Sequence, residues 1–390
     1  MLFEFRAATR LVFGEGTFGQ IGQRASQYGS KVLLVTGRTA LLQSGHVQRA
    51  TELLAAAGAA VELFAQIPSN PTADIVDQGA AVARAAQCDL VVGLGGGSAM
   101  DAAKAIAVCA GLERPVRDFM VADAEGHKVL PDARTLPVIC VTSTAGTSSE
   151  LTPFAVLTLP ETNEKSAIRS EFIQPRVAIE DPELTYSAPP LVTATTGIDV
   201  LCHALESYVS LKGTPVTDLM SQEAIRLVGQ HLPCAFADGS DVLARQQLML
   251  ANTFAGYGLA CCGATIMHGM EHPVSGYYPE VAHGAGLAAM LRPWARKLWP
   301  QMPSHFARVT QLLTGECPSD TDDAASRAES AIGALLQQVG LDLRLRDLGV
   351  DPANLPAMAQ DTCRYMAGAV SNTPGDLTCE DVLELLESAY

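Results

Sequence analysis

Basic residues are scarce in this chain: 26 Lys and Arg stand against 42 Asp and Glu, a formal charge of -16 over 390 residues. No dense Lys/Arg run occurs, so binding to a phosphate backbone lacks its electrostatic footprint and nucleic acid is not an expected partner. No uninterrupted apolar run approaches the roughly 18 residues needed to span a bilayer. The start, "MLFEFRAATRLVFGEG", carries Glu4 early and has neither a basic n-region nor an apolar stretch of signal-peptide length. The expectation is a soluble, cytoplasmic protein without a membrane partner. C-x-x-C pairs are absent as well. The 10 cysteines are scattered, with only Cys261 and Cys262 adjacent, which argues against a thiolate zinc site or a disulfide framework and for reduced, mostly buried thiols.

Apolar residues, by contrast, make up 48% of the chain, enough to bury two cores with a cleft. Over residues 31–94 short β-rich runs alternate with Ala-rich helical runs: "KVLLVTG", "HVQRATELLAAAG", "AVELFAQI", "ADIVDQGAAVARAAQ" and "DLVVGLGGG". That alternation predicts parallel βαβ units in a doubly wound sheet. "TLPVICVTST", "FAVLTL" and "RVAIED" read as further strands of sheet. After "DPELTYSAPP" the pattern turns to long helical segments, opening at Pro189 and Pro190, which puts a domain boundary near Tyr186. The small and acidic residues from Ser319 to Ala325, following Pro318, read as an exposed connection between helices.

Two loops offer phosphate-friendly chemistry. After "DLVVGL" come Gly95, Gly96 and Gly97, then a helix that Ser98 is placed to cap; glycines admit a ligand to the backbone, and the free N–H groups of a helix start favour a phosphate. The spacing is neither G-x-G-x-x-G nor G-x-x-x-x-G-K-[ST], and a plain strand-to-helix turn is the alternative. The second loop, "TSTAGTSSE", carries Thr142, Ser143, Thr144 and Thr147 after another strand. Two such loops at strand C-terminal ends point to a nucleotide crevice.

A different chemistry sits further on. Asp199 and His203, in "TGIDVLCHALESYVS", are i and i+4, one face of a helix flanked by Ile198, Leu201, Leu205 and Val209. "MHGMEHPVSGYYPEVAHGAG" holds three of the eight histidines. His268 and His283 from that segment complete a set of one carboxylate and three imidazoles, which suits Fe(II) or Zn(II) rather than Mg(II) or Ca(II). The same segment matches H-x-x-E-H at His268, Glu271 and His272, the signature of inverted zinc peptidases. That reading needs one continuous helical turn, yet Pro273 biases His272 out of the α region, and it leaves Asp199, His203 and both loops without a role.

Together "GGGSAMDAAKAIA", "TSTAGTSSE", "GIDVLCHALESYVS" and "HGMEHPVSGYYPEVAHG" resemble the iron-containing, or group III, alcohol dehydrogenases, in order over nearly the whole chain. The resemblance implies an α/β dinucleotide-binding domain over 1–186, with a Rossmann-like parallel sheet, and an all-helical metal and substrate domain over 187–390. It implies hydride exchange between a primary alcohol or its aldehyde and NAD or NADP, a bound Fe(2+), with Zn(2+) as the alternative, and a homodimer or larger homo-oligomer. Its metal ligands fall on Asp199, His203, His268 and His283, and a proton-relay histidine near the nicotinamide falls on His272. The pyrophosphate loop falls on Gly95, Gly96, Gly97 and Ser98, with Asp101 in the same motif; Ser143, Thr144 and Thr147 border the nicotinamide, and Lys165 its ribose. Phe154 and Leu259 fall where substrate is lined, both apolar, as suits an alkyl or aromatic alcohol. Gly37, followed by Arg38, stands where NAD-preferring members carry Asp, so NADP(H) is expected to be accepted. The segment from His272 to His283 is one residue longer than the usual pattern, with Ala282 where proline often precedes the last ligand. A glycerol-type polyol dehydrogenase and a maleylacetate-type reductase are the alternatives within the superfamily. A nucleotide-binding protein without catalysis has no need of the metal set.

Overall fold

The computed structural model describes residues 2–122, 128–316 and 320–390. The chain forms two compact units, one of residues 7–144 and 148–185, the other of residues 1–6, 145–147 and 186–390. The stretches 1–6 and 145–147, expected in the first domain, therefore group with the helical unit.

In the α/β unit the strands are β1 (Arg10–Phe13), β2 (Lys31–Gly37), β3 (Ala60–Ile67), β4 (Leu90–Gly95), β5 (Val138–Thr142), β6 (Phe154–Leu159), β7 (Glu164–Arg169) and β8 (Val177–Glu180). Six of them make one sheet in the order β1-β8-β5-β4-β2-β3, every pair parallel. Helices cover its faces, as a parallel sheet requires. The chain passes from β2 outward to β3 and then returns to β4 on the other side of β2, so the order reverses between β2 and β4. Such a reversal opens a crevice at the carboxyl ends of the strands. All six residues of β4 are buried, and the helix Gly97–Leu112 lies directly on it. Gly93 makes that approach possible, because a Cβ there would stand 2.8 Å from Cβ of Ala103.

"FAVLTL" forms a strand, as expected. It does not extend the main sheet but pairs antiparallel with β7 in a separate two-stranded sheet; the short connection 160–163 permits a hairpin, whereas a parallel neighbour would need a crossover.

The other unit is helical, led by Pro190–Val209, Pro215–Ala237, Val242–Cys262, Ile266–Tyr277 and His283–Leu298. Among the described residues no single helix is long and apolar enough to cross a membrane. Three expectations are corrected here. The helix Ile266–Tyr277 runs straight through Pro273, although proline inside a helix costs about 3 kcal/mol; every residue from Ile266 to Gly276 is buried, and that packing outweighs the local preference of His272. The acidic stretch is itself a short helix, Thr321–Ser326, capped by Asp320 with Ala324 and Ala325 buried; Pro318 and Ser319 lie outside the described residues. Cys363 and Cys379 form a disulfide across 16 residues, with Cα atoms 6.0 Å apart. Helix packing brings that pair together, which no spacing motif announces, while Cys109, Cys140, Cys202 and Cys262 are buried free thiols, as expected.

Candidate active site

Asp199 and His203 lie on the inner face of Pro190–Val209, one turn apart and almost wholly buried. Against this helix packs the first turn of His283–Leu298, so closely that a Cβ on Gly284 would stand 1.9 Å from the Thr195 carbonyl oxygen. That contact delivers His283, the first residue of its helix, beside Asp199. His268 arrives from Ile266–Tyr277 and stacks on His203, ring centroids 4.5 Å apart at 11°.

The three Nε2 atoms surround Oδ1 of Asp199 at 3.5 Å (His203), 3.4 Å (His268) and 3.7 Å (His283). Two ligands each about 2.1 Å from one tetrahedral ion stand roughly 3.4 Å apart, so each imidazole is spaced from Asp199 as a co-ligand would be, although His203 falls outside the group whose ligand atoms are all mutually close. Ligand atoms of Asp199, His268 and His283 all lie within 4.8 Å of one another. The donor set, one carboxylate and three imidazoles, fits Fe(II) or Zn(II). The cluster is strongly polarised. Burial pushes the Asp199 carboxyl up, but the surrounding imidazoles prevail and hold it well below the usual carboxylate range. Burial drives His203 down to about 4, whereas Glu206 and Asp199 overcome burial and raise His268 to about 10.

Two carboxylates in this cluster escape the sequence reading of the ligand set. Nδ1 of His268 lies against Oε2 of Glu206, and Nδ1 of His283 against Oε2 of Glu271. Both glutamates are fully buried. Through Oε1, Glu206 accepts from the backbone N–H of Thr265 at 3.0 Å, Met267 at 3.1 Å and His268 at 3.2 Å, and from the Thr265 hydroxyl at 2.6 Å; it caps the helix that carries His268. The signal was available: Glu206 is i+7 from Asp199, on the same helical face. In the sequence Glu271 stands only as the acid of H-x-x-E-H. Its carboxylate is turned to His283 and to the hydroxyl of Ser275. His272, one turn beyond His268, is buried with its ring centroid 6.2 Å from that of His283.

The nucleotide-loop residues gather at the carboxyl edge of the sheet. Gly95 closes β4 with φ 151, a conformation that favours glycine. Gly96, not Ser98, occupies the helix N-cap; no side chain caps it, and Gly97 and Ser98 are already helical. A helix start without a side-chain cap leaves backbone donors for an anion. Gly37 ends the neighbouring strand β2. Ser143 and Thr144 follow β5, the Thr144 carbonyl accepting from the Thr142 hydroxyl at 2.7 Å. Asp101 is 3.0 Å from the buried Lys104 ammonium and accepts from the Ser149 hydroxyl at 2.5 Å, which fastens the glycine-loop helix to the second loop. Lys165 lies buried on β7. Phe154 on β6 carries the Arg169 guanidinium 4.8 Å above its ring.

In the helical unit Thr147 belongs to the 145–147 stretch, where Gly146 N–H donates to Asn252 Oδ1 at 2.8 Å. Leu259 is buried in Val242–Cys262.

A parallel sheet with an uncapped glycine loop beside its reversal point, in a chain that also holds a buried Asp/His cluster, belongs to the metal-dependent oxidoreductases. The match to known families makes this specific: the model for iron-containing alcohol dehydrogenase matches residues 8–182, and that for the C-terminal part of the same family matches residues 193–390. The chain belongs to the iron-containing alcohol dehydrogenase family. It is 35% identical over 362 residues to a 1,3-propanediol dehydrogenase of Klebsiella pneumoniae, 92% of each chain being covered. It is 30% identical to a long-chain primary alcohol dehydrogenase of Thermoanaerobacter ethanolicus, over 100% of this chain and 98% of that one. Among solved structures, an archaeal halo-thermophilic alcohol dehydrogenase from a Red Sea brine pool superposes over 100% of both chains with a TM-score of 0.95 at 36% identity. The protein is an alcohol dehydrogenase of this family, an oxidoreductase.

Proposed function

We propose that this enzyme interconverts primary alcohols and aldehydes with NAD(H) or NADP(H), using one divalent ion held by Asp199, His203, His268 and His283. The observation that carries the reading is the convergence of three imidazole nitrogens on Asp199 Oδ1 at 3.4–3.7 Å in a buried cluster. An ion bound there supplies Lewis acidity to the substrate oxygen. Iron is the metal that the family name favours, and zinc suits the same donors.

The chain's own residues supply the rest. Asp199 contributes the negative charge that holds the cation, and its burial excludes competing water. His272, buried beside His283, carries the proton between the substrate oxygen and solvent. The backbone donors at Gly96, Gly97 and Ser98 take the pyrophosphate. Ser143, Thr144 and Thr147 attend the nicotinamide end, and Lys165 the ribose. The apolar side chains of Phe154 and Leu259 favour an alkyl or aromatic chain, with modest discrimination. A short diol is the second reading, supported by the 1,3-propanediol dehydrogenase relative.

For the cofactor, NAD is supported by relatives such as the NAD-dependent methanol dehydrogenase of Bacillus methanolicus, 30% identical over 97% of each chain. Acceptance of NADP(H) is supported by Gly37, which presents no carboxylate to repel a 2'-phosphate. Arg38 beside it is exposed, its Nε donating to the Gln66 carbonyl at 2.9 Å. Rates with a panel of alkyl, aromatic and hydroxylated aldehydes, each with NADH and NADPH, test the proposal; no turnover of any aldehyde by metal-loaded enzyme contradicts it.

A further inference from the structure

Three carboxylates lie in the metal cluster, although an ion needs only Asp199 as its anionic ligand. We propose that Glu271 is a positioning residue that fixes His283 and thereby sets how tightly the ion is retained, an inference that rests on the ligand assignment above. Glu271 is fully buried. Ser275, one turn on, donates its hydroxyl to Oε1, while Oε2 lies against Nδ1 of His283. The two atoms are in contact without the geometry of a hydrogen bond; an ion taking Nε2, the atom 3.7 Å from Asp199 Oδ1, leaves the ring hydrogen on Nδ1, facing this carboxylate. Gly286 makes room for the arrangement: a Cβ there would stand 3.3 Å from both Cγ and Oε1 of Glu271.

The imidazoles are not equivalent. The side chains of His203 and His268 are each 5% exposed, that of His283 is 25% exposed. Water and chelators therefore meet His283 first, and an ion that leaves does so by first losing this ligand. A buried carboxylate behind the ring opposes that step twice over, by raising the basicity of Nε2 and by preventing the ring from turning away. Glu206 backs His268 in a similar way, but it also holds the first turn of a helix, so its replacement disturbs the fold. Glu271 is the cleaner probe.

The test is zinc affinity, measured by competition with a chromophoric chelator, on wild type, Glu271→Gln, Ser275→Ala and His268→Ala, with the thermal midpoint of each metal-free protein. Glutamine keeps the volume and an acceptor for Ser275 but removes the charge facing Nδ1. Glu271→Gln is expected to raise the zinc Kd about 10- to 100-fold with the metal-free protein still folded, and Ser275→Ala to raise it less, in the same direction. Wild-type zinc affinity in Glu271→Gln and Ser275→Ala, with loss in His268→Ala, overturns the role of Glu271 and leaves the ligand assignment standing. Wild-type affinity in His268→Ala overturns the ligand assignment itself. If Glu271→Gln fails to fold, Ser275→Ala decides alone: weaker zinc binding supports the proposal, and unchanged binding contradicts it.

Discussion

The glycine loop and the metal cluster are made of opposite materials. In the proposed pyrophosphate site at Gly95, Gly96 and Gly97 the groups on offer are backbone N–H donors, and the side chains contribute by being absent; one strand end and one helix start form the loop. In the proposed metal site around Asp199 the groups on offer are side chains, drawn from three helices whose packing alone brings them together. The first kind of site is broken by adding atoms and the second by removing them. Each kind of damage should leave the other site intact.

The largest expected effect comes from removing a ligand. Asp199→Ala should lose the ion and lower kcat/KM by on the order of a thousandfold or more, the several kcal/mol that a Lewis acid contributes, while the dissociation constant for NADH, read by fluorescence titration, stays near wild type. Equal loss of NADH binding would show that the two sites are not separable. Next comes packing without ligand loss. Gly284→Ala puts a Cβ 1.9 Å from the Thr195 carbonyl, so helix His283–Leu298 must move. Urea denaturation should show a loss of about 1–3 kcal/mol, and metal analysis a reduced content although every ligand is present.

The loop gives the reverse pattern. A Cβ at Gly96 meets only the Thr144 side chain, Oγ1 at 3.4 Å and Cγ2 at 3.7 Å, so the fold accepts it, yet Gly96→Val should raise the cofactor Kd about tenfold or more, roughly 1.4 kcal/mol, with metal content unchanged. Unaltered cofactor affinity in this variant removes the pyrophosphate from the loop. The smallest effect is on cofactor choice. A Cβ on Gly37 lies 3.7 Å from the Ile67 carbonyl oxygen, an ordinary contact. Gly37→Asp should then shift the kcat/KM ratio toward NAD(H) by about tenfold, and rejection of NADPH by the unmodified enzyme would reduce Gly37 to a strand-end glycine.

Each region is legible in the sequence to the extent that its chemistry is local. The strands β2 to β5 and the glycine loop are contiguous patterns, and Asp199 with His203 follows from helical spacing. By that same rule Glu206 is within reach, since it shares their face. Glu271 is not: its partner His283 lies on another helix, and only the packing of the two helices at Gly286 brings the two together. Pro273 misleads for a related reason, since the preference of one residue yields to a helix buried along its length. The hairpin of β6 and β7 and the Cys363–Cys379 disulfide depend likewise on pairing partners, which periodicity does not name.

We propose that this chain's alcohol dehydrogenase chemistry depends on an ion held by Asp199, His203, His268 and His283. Metal content and turnover measured on one preparation, as purified, after stripping with a chelator and after adding back iron or zinc, test it directly. About one equivalent per chain, loss of turnover on stripping and recovery on add-back are expected. Full turnover by protein shown to be free of metal would contradict it.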